Sequence, residues 1–149
     1  MIQVGDKAPD FTLEDQSENE VSLKDFAGKK VLLSWHPLAF TSICSTQMKN
    51  LENNAQRFRD ANTVVLGMSV DTQPSKAAWA ESLGLEEIQI LADFHPLGEV
   101  TKAYGLFNDE MGASHRADVL IGEDGNVIWA KKYPIKDVPN VEDIFAVIE

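Results

Sequence analysis

Cysteine is almost absent from this 149-residue chain, which contains a single one, Cys44. One thiol cannot close an intramolecular disulfide, so the fold does not depend on oxidation, and zinc sites built from several cysteines are excluded. The redox-active Cys-x-x-Cys pair is also missing, because the corresponding segment reads Cys44-Ser45-Thr46-Gln47. Any chemistry that needs a thiol must therefore be carried by one side chain.

Positive charge and long apolar runs are also scarce. Lysine and arginine number 13 against 24 aspartates and glutamates, which gives a formal net charge of −11. The chain has no long basic run, so neither nucleic acid nor an anionic membrane is expected as a partner. No apolar stretch approaches the roughly 20 residues that span a bilayer, and residues 1–6 lack the features of a secretory signal. We therefore expect a cytoplasmic protein.

Internal repeats, low-complexity segments and linkers are absent as well. Hydrophobic residues make up 44% of the sequence, which lets a chain of this length bury a substantial core. These features predict one domain over residues 1–149, with no boundary at which a second domain would begin.

Strand-like runs alternate with helical patterns along most of the chain. A hairpin is predicted at residues 11–23, and the Asp-Gly turn at 123–126 joins two later strands. The elements after the first hairpin are predicted as strand 30–35, a helix to about residue 60, strand 63–69, helix 74–83, strand 88–91, helix 98–104, strands 117–121 and 127–132, and helix 141–149. This order predicts an α/β fold with a mixed central sheet flanked by helices and an N-terminal β-hairpin extension.

Cys44 lies between a predicted buried strand and a predicted amphipathic helix. Thr41 or Ser42 can cap that helix by accepting a hydrogen bond from a free backbone N–H, which places Cys44 in the first turn. The free N–H groups and the positive end of the helix dipole stabilise a thiolate at such a position. The local pattern therefore favours a nucleophilic cysteine, although a lone cysteine can also be a small buried hydrophobic residue.

Pro37, Thr41 and Cys44 form the pattern Pro-x-x-x-Thr-x-x-Cys, which resembles the active-site signature of the peroxiredoxins. Other family landmarks are matched in order along nearly the whole chain, at residues 4–11, 65–71, 91–96, 103–105 and 116–121. The single cysteine and residues 103–108 most resemble the alkyl hydroperoxide reductase E type of one-cysteine peroxiredoxin, in the alkyl hydroperoxide reductase/thiol-specific antioxidant family. This resemblance implies a thioredoxin-like fold.

The resemblance also implies a thiol-dependent peroxidase that reduces hydrogen peroxide or organic hydroperoxides without a cofactor or a metal. The Cys44 thiolate would attack one peroxide oxygen and become a sulfenic acid. Because the chain has no second cysteine, an external thiol must resolve that sulfenic acid. A low-molecular-weight thiol or a thioredoxin- or glutaredoxin-like protein would serve, and the sequence selects neither the reductant nor the peroxide.

Three further side chains acquire roles through the resemblance. Thr41 would orient the peroxide with its hydroxyl group while it also caps the helix. Arg116 corresponds to the family's active-site arginine, whose fixed charge would favour the thiolate and polarise the peroxide. Pro37 would shield the thiolate from water and fix the loop. Backbone N–H groups near Ile43 and Cys44 would supply the remaining donors.

Two positions depart from the family pattern. Gln47 stands where the family often has glutamate, so it keeps an acceptor but removes a charge that would pair with the arginine. His36 stands where a tyrosine usually precedes the proline. It is either a structural or solvent-facing histidine, or one that titrates near neutral pH and influences Cys44. The spacing of His95 and His115 does not indicate a metal site, and both are expected at the surface or in an interface.

The family commonly dimerises near the active-site loop, so we expect a homodimer that uses Phe40 and Phe94, unless both rings belong to the core. Two other functions remain open. A thiol-disulfide oxidoreductase on the same fold is disfavoured because it would use a second cysteine. A non-enzymatic redox sensor or holdase would use oxidation of Cys44 alone, and the rate of its reaction with peroxide distinguishes it from an enzyme.

Overall fold

A computed structural model describes residues 1–149. Its strands and helices occur close to where the hydrophobic pattern places them. The strands are β1 (Thr12–Glu14), β2 (Glu20–Ser22), β3 (Lys30–Trp35), β4 (Thr63–Ser69), β5 (Gln89–Ala92), β6 (Phe107–Asn108), β7 (Ala113–Ser114), β8 (Arg116–Ile121) and β9 (Val127–Tyr133). The helices are α1 (Ser42–Asn53), α2 (Ala55–Asp60), α3 (Gln73–Leu83), α4 (Glu99–Ala103) and α5 (Val141–Ile148), and a short 3-10 helix occupies Leu23–Phe26.

Seven of the strands form one mixed sheet in the order β2-β1-β5-β4-β3-β8-β9. Strand β3 pairs in parallel with β4 and antiparallel with β8. The register places Trp35, the last residue of β3, opposite Met68 of β4 and Ala117 of β8. Arg116 and the loop that follows Trp35 therefore lie at the same end of the central strands, where α1 begins.

The sheet buries one apolar cluster on each face. Successive side chains of a strand point to opposite faces, so Leu33 enters one cluster and Leu32 enters the other. The cluster around Leu33 includes α4 through Val100, whereas the cluster around Leu32 includes α1 through Met48, together with α2, α3 and α5. Helices thus cover both faces of a mixed sheet, which confirms the predicted fold class.

Helix α1 packs closely on the sheet because Gly67 of β4 has no side chain. A Cβ atom at this position would lie 2.8 Å from both the Met48 Sδ atom and the Ile90 Cγ2 atom. Such distances are shorter than close-packed side chains tolerate, so a larger residue would force the Met48 and Ile90 side chains to move. The glycine therefore lets the Met48 side chain of α1 pack directly on the sheet.

The structure corrects the predicted pattern in two places. The helix expected to continue to about residue 60 is interrupted at Asn54, whose side-chain Nδ2 donates to the Asn50 carbonyl at 2.8 Å and competes with regular backbone pairing. The short hairpin formed by β6 and β7 was not predicted, because strands of two residues are too short to show a hydrophobic period.

The N-terminal hairpin of β1 and β2 is present and continues the central sheet. Glu14 of β1 pairs antiparallel with Ala92 of β5, so the hairpin covers what would otherwise be an open edge. None of the helices combines the length and the hydrophobicity that crossing a membrane requires.

Candidate active site

The loop between β3 and α1 presents Cys44 at the start of the helix. Thr41 has extended backbone angles, and the helix begins at Ser42, so Cys44 lies in the first turn as predicted. The N–H of Ser45 donates to the Thr41 carbonyl at 2.9 Å, and the N–H groups before it belong to the first turn, where no intrahelical acceptor exists. The sulfur therefore lies at the positive end of the α1 dipole.

Arg116 contacts the sulfur directly. Its Nη1 atom lies 3.3 Å from Cys44 Sγ and also donates to Gln47 Oε1 at 2.7 Å. The Nε and Nη2 atoms donate to the Ile135 carbonyl at 3.2 and 3.0 Å. Three acceptors thus orient a guanidinium that is only 2% exposed. The structure brings Cys44 and Arg116 together, although 71 residues separate them in the chain.

Gln47 connects this arginine to a buried acid. A guanidinium can only donate and the Trp35 carbonyl can only accept, so the amide of Gln47 has one consistent orientation. Its Oε1 accepts from Arg116, and its Nε2 donates to the Trp35 carbonyl at 3.1 Å and to Ser34 Oγ at 2.8 Å. The Ser34 hydroxyl then donates to Asp118 Oδ1 at 2.7 Å. Gln47 therefore keeps the acceptor role expected of it.

Asp118 lies at the end of this chain of hydrogen bonds. It is 1% exposed, and its Oδ2 atom has no hydrogen-bond partner. Burial raises the pKa of Asp118 to about 7, against the opposing effect of the Ser34 hydrogen bond. The side chain behind Arg116 is thus an acid that gains or loses its proton near neutral pH. Nothing in the local sequence marks it as part of the site.

We expect Asp118→Asn to stabilise the protein more at pH 8 than at pH 4. Between pH 4 and pH 7 the folded state keeps a proton that unfolded Asp118 has released, so the carboxyl lowers the free energy of unfolding as the pH rises. A shift of about three pKa units corresponds to at most about 4 kcal/mol. Denaturant unfolding at both pH values measures this difference. Asp109→Asn, at an exposed site, is the control, and an equal effect at both pH values would contradict the prediction.

The sulfur forms the base of a small pocket. Cys44 is 1% exposed, and the pocket above it has a volume of about 210 Å³. Its walls include Pro37, as the shielding role requires, and most of the other lining side chains are apolar: Leu38, Ile43, Met111 and Ile135. A larger hollow of about 570 Å³ lies beside the N-terminal hairpin and contains neither the thiol nor the arginine. The chemistry therefore belongs to the smaller pocket.

Thr41 occupies the N-cap position of α1, but the predicted capping hydrogen bond is wrong. Its hydroxyl donates to the Leu38 carbonyl at 2.7 Å and accepts nothing from the first turn of the helix. The same loop is tied to β4, because the Ala39 N–H donates to Asp71 Oδ2 at 2.8 Å. The Thr41 hydroxyl keeps its lone pairs free as acceptors and lines the pocket.

The three histidines have separate environments, none of them a metal site. His36 is fully buried, and burial followed by the charges of Lys76 and Arg116 holds its pKa well below the ordinary value. It is thus a structural histidine, which stays neutral at neutral pH. His95 is exposed and His115 is half-buried. No group of three or more metal-ligating side chains occurs in the structure.

A buried first-turn cysteine contacted by an arginine, on a mixed sheet of this topology, defines a thioredoxin-fold protein of the peroxiredoxin class. The chain belongs to the AhpC/TSA family, whose sequence model matches residues 4–130. It is 37% identical over 132 residues to alkyl hydroperoxide reductase E from Mycobacterium tuberculosis (strain ATCC 25618 / H37Rv), covering 88% of this chain and 86% of the relative.

Two other comparisons agree with this assignment. The chain is 32% identical to a peroxiredoxin from Thermoplasma volcanium, over 99% of this chain and 74% of the relative. Among solved structures, the reduced 2-Cys peroxiredoxin from Plasmodium vivax superposes with a TM-score of 0.91 at 30% identity. That match covers 99% of this chain and 81% of the other. The resemblance to the peroxiredoxins is therefore confirmed at the level of the family and the fold.

Proposed function

We propose that Cys44 is the attacking nucleophile of a thiol-dependent peroxidase that reduces hydrogen peroxide and organic hydroperoxides. The observation that carries this assignment is the 3.3 Å contact between Arg116 Nη1 and Cys44 Sγ at the base of an open pocket. A fixed guanidinium at this distance favours the thiolate over the thiol, and only the thiolate attacks peroxide.

The reaction balances with one proton from the surroundings. The thiolate attacks the hydroxyl oxygen of the peroxide, a sulfur–oxygen bond forms, and the oxygen–oxygen bond breaks. Cys44 is oxidised to a sulfenic acid, and the leaving oxygen takes up a proton to become an alcohol, or water when the substrate is hydrogen peroxide. Sulfur supplies the two electrons that the peroxide accepts.

The surrounding donors would act where charge develops. As the oxygen–oxygen bond lengthens, negative charge builds on the leaving oxygen, and Arg116 together with the N–H groups of Ile43 and Cys44 can stabilise it. Because the Thr41 hydroxyl already donates to Leu38, its lone pairs are left to accept the peroxide hydroxyl. In this proposal Thr41 orients the substrate and Arg116 polarises it.

Pro37 would have a separate role, in keeping water from the sulfur. It is buried, lines the pocket and offers no N–H group to solvent. A dry pocket strengthens the attraction between the guanidinium and the thiolate, because the effective dielectric constant falls. Pro37 thus acts on the environment of the reaction and donates no hydrogen bond to it.

The catalytic cycle would close with a thiol from outside the chain. The single cysteine cannot form an internal disulfide, so the sulfenic acid must condense with a low-molecular-weight thiol or with a thioredoxin- or glutaredoxin-like protein. We further propose that residues 1–149 form one domain that works in the cytoplasm as a homodimer. Phe40 and Phe94, which are 60% and 49% exposed and so lie outside the core, would contribute to the interface.

One equivalent of peroxide is expected to produce one sulfenic acid per chain, at Cys44. Dimedone added after the peroxide should trap it, and peptide mass spectrometry locates the adduct. Under turnover with an external thiol, non-reducing electrophoresis should show no disulfide-linked dimer. A predominant Cys44–Cys44 dimer would contradict this cycle. A rate no faster than that of a free thiolate would instead indicate a redox sensor.

A further inference from the structure

Lys76 is a buried lysine without a carboxylate partner. It lies on α3, its side chain is 0% exposed, and it takes part in none of the ion pairs of the structure. Its Nζ atom has a single hydrogen bond, 2.8 Å long, to Nε2 of the fully buried His36. An ammonium group is costly to remove from water unless other charges compensate it. The position of Lys76 therefore calls for a nearby negative charge.

The elements packed around Lys76 offer two such charges. The loop that follows β4 contributes Asp71, and the first turn of α1 contributes Cys44 when it is ionised. Two neutral groups contact Nζ: His36, which follows β3 and also experiences the charge of Arg116 from β8, and the Trp79 ring of α3, whose centroid lies 5.8 Å away. Asp71 is shared, because it also accepts hydrogen bonds from Ala39 and Ser69.

A second contact shows that this part of α3 lies against the cysteine turn. The indole N–H of Trp79, one turn after Lys76, donates at 3.1 Å to the hydroxyl of Ser45, the residue next to Cys44. His36 directly precedes Pro37 in the active-site loop. Lys76 is thus linked through hydrogen-bonded or packed neighbours to both the loop and the helix that hold the sulfur.

We propose that Lys76, held in place by His36, is a positioning residue that supplies a second buried positive charge to the Cys44 thiolate. This inference rests on the proposed role of Cys44 as the attacking thiolate. It assigns the two cations different tasks. Arg116 touches the sulfur and can reach the peroxide, whereas Lys76 acts through space and donates its hydrogen bond to His36.

The charge of Lys76 sets the direction of its hydrogen bond to the histidine. While Lys76 is an ammonium it can only donate, so Nε2 of His36 accepts from a neutral ring, in line with the lowered pKa of His36. Burial lowers the pKa of Lys76 to about 7, although Asp71 and Cys44 raise it. The attraction is reciprocal, because a thiolate that stabilises the ammonium is stabilised by it to the same extent. The contribution of Lys76 is therefore present below neutral pH and fades as the ammonium loses its proton.

The first test compares Lys76→Met with Lys49→Met, which removes an exposed positive charge from α1 itself. The rate of alkylation of Cys44 by iodoacetamide, measured against pH, reports the thiolate without any peroxide. We expect its midpoint to move upward by about one pH unit in Lys76→Met and to stay in place in Lys49→Met. Identical midpoints in folded Lys76→Met and the wild type would overturn the proposal.

The peroxide reaction supplies a second readout. At pH 6 the rate constant of Lys76→Met should be about tenfold lower than that of the wild type, and the two should converge above pH 8. A loss of equal size at every pH would indicate a structural role and would overturn the proposal. If the wild type itself reacts no faster than a free thiolate, the proposed function fails, and the alkylation profile still decides the role of Lys76.

A third test changes Cys44 instead of Lys76 and measures the pH at which the Lys76 side chain titrates. Cys44→Ser is nearly isosteric and removes the thiolate. The Lys76 side-chain resonance, followed by nuclear magnetic resonance in lysine-labelled protein, should then titrate at a lower pH than in the reduced wild type. An unchanged midpoint would overturn the proposal even if Lys76→Met does not fold.

Discussion

Cys44→Ser is expected to lower the rate constant for peroxide reduction by a factor of about 10⁴ or more, to the background rate, because a serine hydroxyl is not ionised at neutral pH and the nucleophile is lost. Stopped-flow tryptophan fluorescence is a suitable measurement. Trp79 is hydrogen-bonded to Ser45, the neighbour of Cys44, so oxidation of the sulfur should change its emission.

The four methionines cause a background reaction in this experiment, because they can be oxidised slowly by peroxide without any active site. Intact mass spectrometry separates the two processes. The wild type should gain one oxygen rapidly at Cys44, whereas Cys44→Ser should gain oxygen only at the slow rate of methionine oxidation. Rapid peroxide consumption by folded Cys44→Ser would remove the thiol from the mechanism.

Arg116→Met should lower the rate constant by about 10² to 10³, the usual cost of losing a donor that stabilises transition-state charge. The substitution keeps an unbranched apolar side chain in the pocket but removes the contact with the sulfur and with Gln47. Arg116→Lys should recover little of this loss. A lysine keeps the charge but cannot donate at the same time to the sulfur, to Gln47 and to the Ile135 carbonyl.

Arg59→Met is the matched control, since this arginine is exposed on α2 and pairs with Glu87 at the surface. Circular dichroism would establish that each variant is folded. The midpoint of the alkylation profile of Cys44 should move to higher pH in Arg116→Met and stay unchanged in Arg59→Met. An unaltered rate and an unaltered midpoint in Arg116→Met would together remove Arg116 from the site.

Much of the active-site loop could be predicted because its signals are local. The apolar run that ends at Trp35, the proline after it and the helical spacing of Met48 and Leu51 lie within a short segment. These signals place Cys44 in a first helical turn, and the structure confirms it. The resemblance contributed Arg116, whose position at a strand edge would by itself indicate an ordinary surface charge.

The long-range contacts of the site could not be predicted. Lys76 and Asp118 come from α3 and β8, and each reads in sequence as an ordinary charged residue on an exposed face. Their burial depends on how the sheet register and the helix packing bring distant residues together. The capping hydrogen bond expected of Thr41 was wrong for a local reason, since its hydroxyl is turned toward the Leu38 carbonyl and accepts nothing from the first turn of α1.

The depth of the sulfur also restricts the shape of any thiol that regenerates the protein. With Cys44 1% exposed beneath a hollow of about 210 Å³, an incoming sulfur must descend through the same mouth as the peroxide. Whatever the size of the thiol, its sulfur has to come within bonding distance of Sγ at the base of this hollow. A folded reductant would therefore have to present its cysteine on a protruding segment, whereas a small thiol would carry less bulk past the walls formed by Pro37 and Ile135.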